Sequence, residues 1–145
     1  MTSPLALFGR GAAGLPPATP VEFASLVLPR SPNTCLAAPA SHPGFKHLET
    51  PLYPVPPSLL IDRLLRIADA MPRTARMAHW PERHQAQWVE RTALMNYPDI
   101  IVAEAAPAHG GAALFLYSRS LFGYSDLGAN RARVDRWLAA LAAPG

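Results

Sequence analysis

Proline decides most about where regular structure can form in this chain. Of its 17 prolines, twelve precede Ser58. A proline carries no backbone N–H and fixes one dihedral, so such a density bars helix interiors and central strands. Only five charged residues accompany them there: Arg10, Glu22, Arg30, Lys46 and Glu49. The first third is therefore read as extended and irregular, with residues 1–28 as a mobile or loosely packed segment. Residues 29–145 are read as a single α+β domain. Half of the 145 residues are apolar, and a chain of this size buries roughly 70% of its unfolded surface, enough for an ordinary core.

Beyond the prolines the hydrophobic period carries the reading. Leu60, Leu64, Ile67, Ala68 and Met71 recur at helical spacing within Ser58–Met71, with Ser58 as N-cap. Period-two patterning follows over Thr74–Trp80, Gln85–Thr92, Ile100–Ala106 and Ala112–Leu121, with Ala108-His109-Gly110-Gly111 as a hairpin connection. A last helix over residues 130–142 puts Val134, Trp137, Leu138 and Leu141 on one stripe and leaves Arg131, Arg133, Asp135 and Arg136 to solvent. The expected architecture is a four-stranded antiparallel meander backed by two helices and wrapped by the proline-rich N-terminal third. Cys35–Ala38 reads as a short extended piece, and Leu48–Val55 as an extended stretch fit only for a sheet edge.

Charge and motifs exclude more than they assign. The net charge of +3 is almost all arginine, since Lys46 is the only lysine. No basic run with interleaved aromatics suggests nucleic acid. Gly9, Gly11 and Gly14 spell G-x-G-x-x-G, but Leu15-Pro16-Pro17 stops the helix that a dinucleotide site needs, and Thr34 stands where its acid belongs. Cys35 has no second cysteine to pair with and reads as an inert thiol. His79, Glu82 and His84 lack the spacing of a metal set on one helix face. No apolar run reaches the length of a membrane span, and no signal peptide is recognised, so a cytoplasmic setting is expected. Nothing calls for a cofactor.

Chemistry-bearing side chains crowd at the junction of the last strand and the last helix. Ser118, Arg119, Ser120, Ser125, Asp126, Asn130, Arg131 and Arg133 fall within sixteen residues, punctuated by Gly123 and Gly128. Ser125 or Asp126 suits the helix N-terminus, and Asp126 is the expected counter-charge of Arg119. The stretch Tyr117-Ser118-Arg119-Ser120, Gly123 to Asp126, Gly128, Asn130 and Arg133-Val134, followed by Trp137-Leu138 and Leu141, resembles the bacterial and plastid family known as domain of unknown function 1499. Ser31-Pro32-Asn33-Thr34, Pro72-Arg73-Thr74, Val89-Glu90-Arg91-Thr92 and Tyr97-Pro98-Asp99 agree with it. The resemblance spans roughly Pro29 to Leu141 and implies no activity, cofactor or catalytic residue. Many family members carry a membrane or lipid anchor ahead of the domain, a feature not recognised in this sequence.

Three readings of the corner stand side by side. Arg119, Asp126, Asn130 and Arg133 form a satisfied structural network, in which removal of a partner leaves a costly charge. Alternatively, the serines, Arg119 or Arg131 and the helix start converge on a small anionic ligand. The third is an enzyme acting on a small anionic or acyl substrate, for which no catalytic residue can be named, because no histidine neighbours the serines and G-x-S-x-G is absent. The discriminator is whether the guanidinium of Arg119 or Arg131 is already saturated or faces an open cleft. The outer sheet face, given Trp80, Trp88, Phe115 and Tyr117, becomes a homodimer or protein-partner surface if the N-terminal segment leaves it bare.

Overall fold

The computed structural model describes residues 4–123 and 126–143. In chain order the elements are β1 (Thr34–Pro39), β2 (Leu48–Thr50), β3 (Leu52–Tyr53), α1 (Pro57–Asp69), β4 (Thr74–Trp80), β5 (Gln85–Arg91), β6 (Pro98–Ala108), β7 (Gly111–Ser120) and α2 (Ala129–Ala142). The expected meander is present as β4 to β7, each antiparallel to the next. It is only part of the sheet. The full order is β2-β1-β7-β6-β5-β4, seven strands in all, with β3 paired to the start of β7. Because β1 and β2 run parallel, the sheet is mixed rather than purely antiparallel.

β1 escapes a local reading for two physical reasons. Its partner lies far along the chain, with Cys35 opposite Ser118 and Leu36 opposite Tyr117. It is also buried on both faces, Cys35 and Ala37 toward one core and Leu36 and Ala38 toward another, so no apolar–polar alternation remains. Gly111 opens β7 where β3 crosses it: a Cβ there would lie 1.9 Å from the Tyr53 carbonyl oxygen.

Both helices cover one face of the sheet. Leu60, Ile61, Leu64, Leu65 and Ala68 of α1 meet Trp88, Ile101, Leu114 and Leu116 of the sheet, together with Val134, Trp137 and Leu141 of α2. Trp88 and Trp137 meet edge to face at 5.1 Å and 70°, a geometry that adds about 0.5–1.5 kcal/mol beyond simple burial. Trp88 thus belongs to the helix face, not to the outer one. The N-cap of α1 is Pro56, with Pro57 at the first helical position and no side-chain cap. Ser58 therefore lies inside the first turn; proline at this position has no N–H to lose and its angle already suits the helix.

The proline-rich segment covers the opposite face. Residues 4–28, expected to be mobile or loosely packed, lie as a strap over a second core of Phe23, Leu36, Val89, Ile100, Val102 and Tyr117. Phe23 stacks on Phe115 at 5.0 Å. Polar side chains of β5 fasten the strap by its backbone. The Gln85 amide accepts from Val21 N and donates to Val21 O, both at 2.8 Å, as a neighbouring strand would. Gln87 donates to Thr19 O, and Arg83 pairs with Glu22. The bare outer face that a dimer surface required is not left by this arrangement.

Candidate functional site

Sheet register dictates the chemistry of the corner. Glu90, Asp99 and Ser120 stand directly opposite one another on β5, β6 and β7, so two carboxylates share one row of the helix-facing surface. Like charges so placed repel, and both are buried. Arg133, carried over them by α2, resolves the conflict. Its Nε donates to Glu90 Oε2 at 2.8 Å and one Nη pairs with Asp99 Oδ2 at 2.8 Å. Its other Nη donates to Ser118 Oγ at 3.1 Å and to Asn130 Oδ1 at 2.9 Å. Arg136, half exposed, adds bonds of 2.8 and 2.7 Å to the two Glu90 oxygens.

Asn130 ties this cluster to the rest of the corner. Its side chain accepts from Ser118 Oγ at 2.5 Å and donates to Asn33 O, Ser120 Oγ and Asp126 Oδ2 at 2.9, 2.8 and 2.7 Å. Asp126 in turn accepts from the backbone N–H groups of Gly128 and Asn130 at 2.7 and 3.1 Å, satisfying the start of α2 although the formal N-cap is Gly128. Burial pushes the Glu90 carboxyl upward, but Arg133 and Arg136 override that and hold it below the usual range. Burial wins at Asp99, which sits above its usual range despite Arg133 and a bond from Ser120.

Of the eight residues singled out at the corner, Ser118, Ser120, Asp126, Asn130 and Arg133 come together in this closed network. Arg133 was expected to be solvated and is 3% exposed, because the two carboxylates beneath it draw the helix's apolar stripe out to include it. Ser125 lies outside the described residues. Arg131 is exposed and faces Asp135 at 3.6 Å, one turn along the same helix.

Arg119 goes elsewhere, and the expected pairing with Asp126 is not formed. Side chains alternate along a strand, so with Ser118 and Ser120 facing the helices, Arg119 between them faces the strap. There it lines a cleft of about 290 Å³ with Met77, Ile100, Val102 and Leu121 from the sheet and Leu15 and Val21 from the strap. Among the described residues the Arg119 guanidinium has no hydrogen-bond or ion-pair partner. Gln87 is the other polar side chain on this wall, and its amide is already engaged by the strap.

A family model described as a protein of unknown function (DUF1499) matches residues 17–141. The chain belongs to this family. The match takes in every strand, α1, α2 up to Leu141 and the strap from Pro17 onward. No curated protein and no solved structure gives a match. Among the described residues no helix is long and apolar enough to cross a membrane, and no group of three His, Cys, Asp or Glu side chains is placed to hold a metal. Cys35 is buried, and that burial pushes its thiol up to about 11.

Glu90 is the member of the network that sequence reasoning missed, along with the part played by Asp99. The signal was present: Ala86, Trp88 and Glu90 share one face of β5, and an acid on an otherwise apolar inward face must be paired.

Proposed function

We propose that this chain is a non-catalytic binding domain whose ligand is a small amphipathic anion, a carboxylate on an apolar body, held by Arg119 in the cleft beneath the strap. The observation carrying this reading is the guanidinium of Arg119, unpartnered on a wall that Met77, Ile100, Val102 and Leu121 share with the strap-bound Gln87. Arginine's planar fork binds carboxylate through two parallel hydrogen bonds. Apolar walls with one charged group fix both the orientation and the class of a ligand. A volume of about 290 Å³ suits a small molecule rather than a macromolecular segment.

The corner on the other face has the character of a scaffold. Its buried donors are already matched to acceptors, so an anion entering there would have to displace Glu90 or Asp99. Ser118 Oγ donates to Asn130 and no histidine base contacts it, which gives an acyl-transfer mechanism no starting point.

Isothermal titration with octanoate, with octanol as the neutral control, tests the proposal. Octanoate is expected to bind and octanol to bind at least tenfold more weakly. Arg119→Ala removes the preference and Arg119→Lys retains part of it. Equal binding of acid and alcohol, or full octanoate affinity in Arg119→Ala, overturns it.

A further inference from the structure

A second electropositive cavity lies at the other end of the strap, and nothing in the cleft reading requires it. It encloses about 410 Å³ and is lined by Arg10, Gly11, Arg73, Thr74, Arg91 and Asn96, together with Ala75. Three of these residues are arginines and none is acidic. We infer that this cavity binds a phosphate-class dianion through the guanidinium forks of Arg10 and Arg73.

The three arginines differ in what already holds them. Arg91 is 3% exposed, yet no carboxylate faces it. Its Nε and one Nη donate to Gly11 O at 3.0 and 2.9 Å, with further bonds to Ala13 O at 3.0 Å, Asn96 O at 3.2 Å and Ala6 O. All five of its N–H groups are thereby used, so Arg91 cannot grip a ligand. It does leave a whole positive charge beside the cavity, compensated only by carbonyl dipoles. Burial accordingly lowers its pKa, the mark of a charged form without a counter-ion.

Arg73 and Arg10 supply the free forks. Arg73 donates its Nε to Arg91 O at 3.1 Å and accepts from Arg91 N at 2.9 Å. Its stem is thus fixed while both terminal nitrogens remain without a protein partner. Its backbone is left-handed, φ 55°, a conformation that a residue with a side chain adopts only where its surroundings hold it. Arg10 comes from the glycine-punctuated loop and is exposed without a partner. That loop carries G-x-G-x-x-G in the reverse polarity of a phosphate cradle: its carbonyls, not its N–H groups, point inward, and they enclose Arg91. The anion site therefore lies outside the loop, between Arg10 and Arg73. The Thr74 hydroxyl lies 3.5 Å from Glu90, but that carboxylate is paired with Arg133 and Arg136 on the far face.

Three cations around one open cavity exceed what a single carboxylate balances, and the arginine fork matches phosphate oxygens in pairs. Free phosphate and a phosphate monoester present the same group, so the test includes both. Thermal unfolding of the full chain is followed against inorganic phosphate and phenyl phosphate, with sodium chloride at matched ionic strength as control. A saturable rise in midpoint with phosphate and not with chloride supports the site. Arg10→Glu is expected to weaken phosphate at least tenfold, and Arg73→Gly, which suits the left-handed backbone, to do the same. Arg119→Ala is expected to leave phosphate binding unchanged, which separates this site from the cleft. Tighter phenyl phosphate supports a monoester as the ligand, and tighter inorganic phosphate supports the free anion. A rise matched by chloride, or one that survives both Arg10→Glu and Arg73→Gly, overturns the inference.

Discussion

The helix face and the strap face of the sheet each bury an arginine to 3% exposure, and they neutralise it by different means. Arg133 meets two carboxylates, Glu90 and Asp99, that stand on adjacent strands beneath it. Arg91 meets only main-chain oxygens, those of Ala6, Gly11 and Ala13 in the strap and that of Asn96 in the loop between β5 and β6. In the first case charge and counter-charge belong to elements that the core already fixes. In the second the cage exists only while the strap is in place. A buried ion pair locks two layers of the core, whereas the carbonyl cage joins one side chain to a strap that Asn96, Gln85, Gln87 and Arg83 also hold. At the corner the ion pairs leave the helix face closed, while the Arg119 cleft and the Arg10–Arg73 cavity lie along the strap.

Removing each arginine in turn is the most direct way to break this contrast. Arg133→Ala leaves the buried Asp99 without a cation and Glu90 with only the half-exposed Arg136, and is expected to cost about 3–5 kcal/mol, read as a lower midpoint in urea denaturation with loss of cooperativity across α2 and β5–β7. Arg91→Ala is expected to cost about 1.5–3 kcal/mol, the range for hydrogen bonds to a charged group. Its loss should be local: hydrogen exchange rises across residues 6–21 while α1, α2 and the central strands keep their protection. A loss of protection spread evenly over the chain would show that the two faces are not separable. Arg119→Ala is expected to change stability by less than about 0.5 kcal/mol, because no partner is left behind. A larger loss would mean that the cleft is part of the structural core.

Acid titration sharpens the comparison from the helix side. Glu90 is held below its ordinary range, so its pairing stabilises the fold above the unfolded glutamate's pKa, and that contribution disappears as pH falls through the lower folded value. Asp99 is displaced upward by burial. The folded chain therefore takes up that proton at a higher pH than the unfolded chain does, and acidification through this window first relieves a cost. Stability measured by urea denaturation is expected to rise slightly and then fall with decreasing pH. Asp99→Asn reduces the initial rise, to which Glu104, also displaced upward by burial, contributes, and Glu90→Gln flattens the later fall. A monotonic decline in both variants, identical to that of the unmodified chain, would show that neither carboxylate governs acid stability.

Much of this was legible in residues close together along the chain. The patterning over Thr74–Trp80, Gln85–Thr92 and Ala112–Leu121 places β4, β5 and β7 within a residue or two of their observed limits, and the helical stripes place α1 and α2 equally well. What escaped depends on partners distant in sequence. β1 pairs with β7 some eighty residues away and shows no alternation because both of its faces are buried. At the corner the error was of another kind. Alternation had already put Ser118 and Ser120 on one side and Arg119 on the other, and a pairing of Arg119 with Asp126 ignored it; nearness in sequence outweighed the direction of the Cβ atom. The expectation that Arg133 is solvated rests on its place off the apolar stripe of the last helix, whereas the inward-facing acid on β5 required a cation from the helix layer.

The side-chain amide of Gln85 holds Val21 by N–H and carbonyl alone, and this has a consequence for how the strap tolerates change. An attachment that reads main chain is indifferent to the identity of the residue attached, with one exception: position 21 must keep its hydrogen. Pro16, Pro17 and Pro20 can crowd around it at no penalty, but a proline moved to position 21 would remove the bond from Val21 N to Gln85. The constraint at this attachment thus falls on the backbone of position 21, while its neighbours Glu22 and Phe23 are held by their side chains.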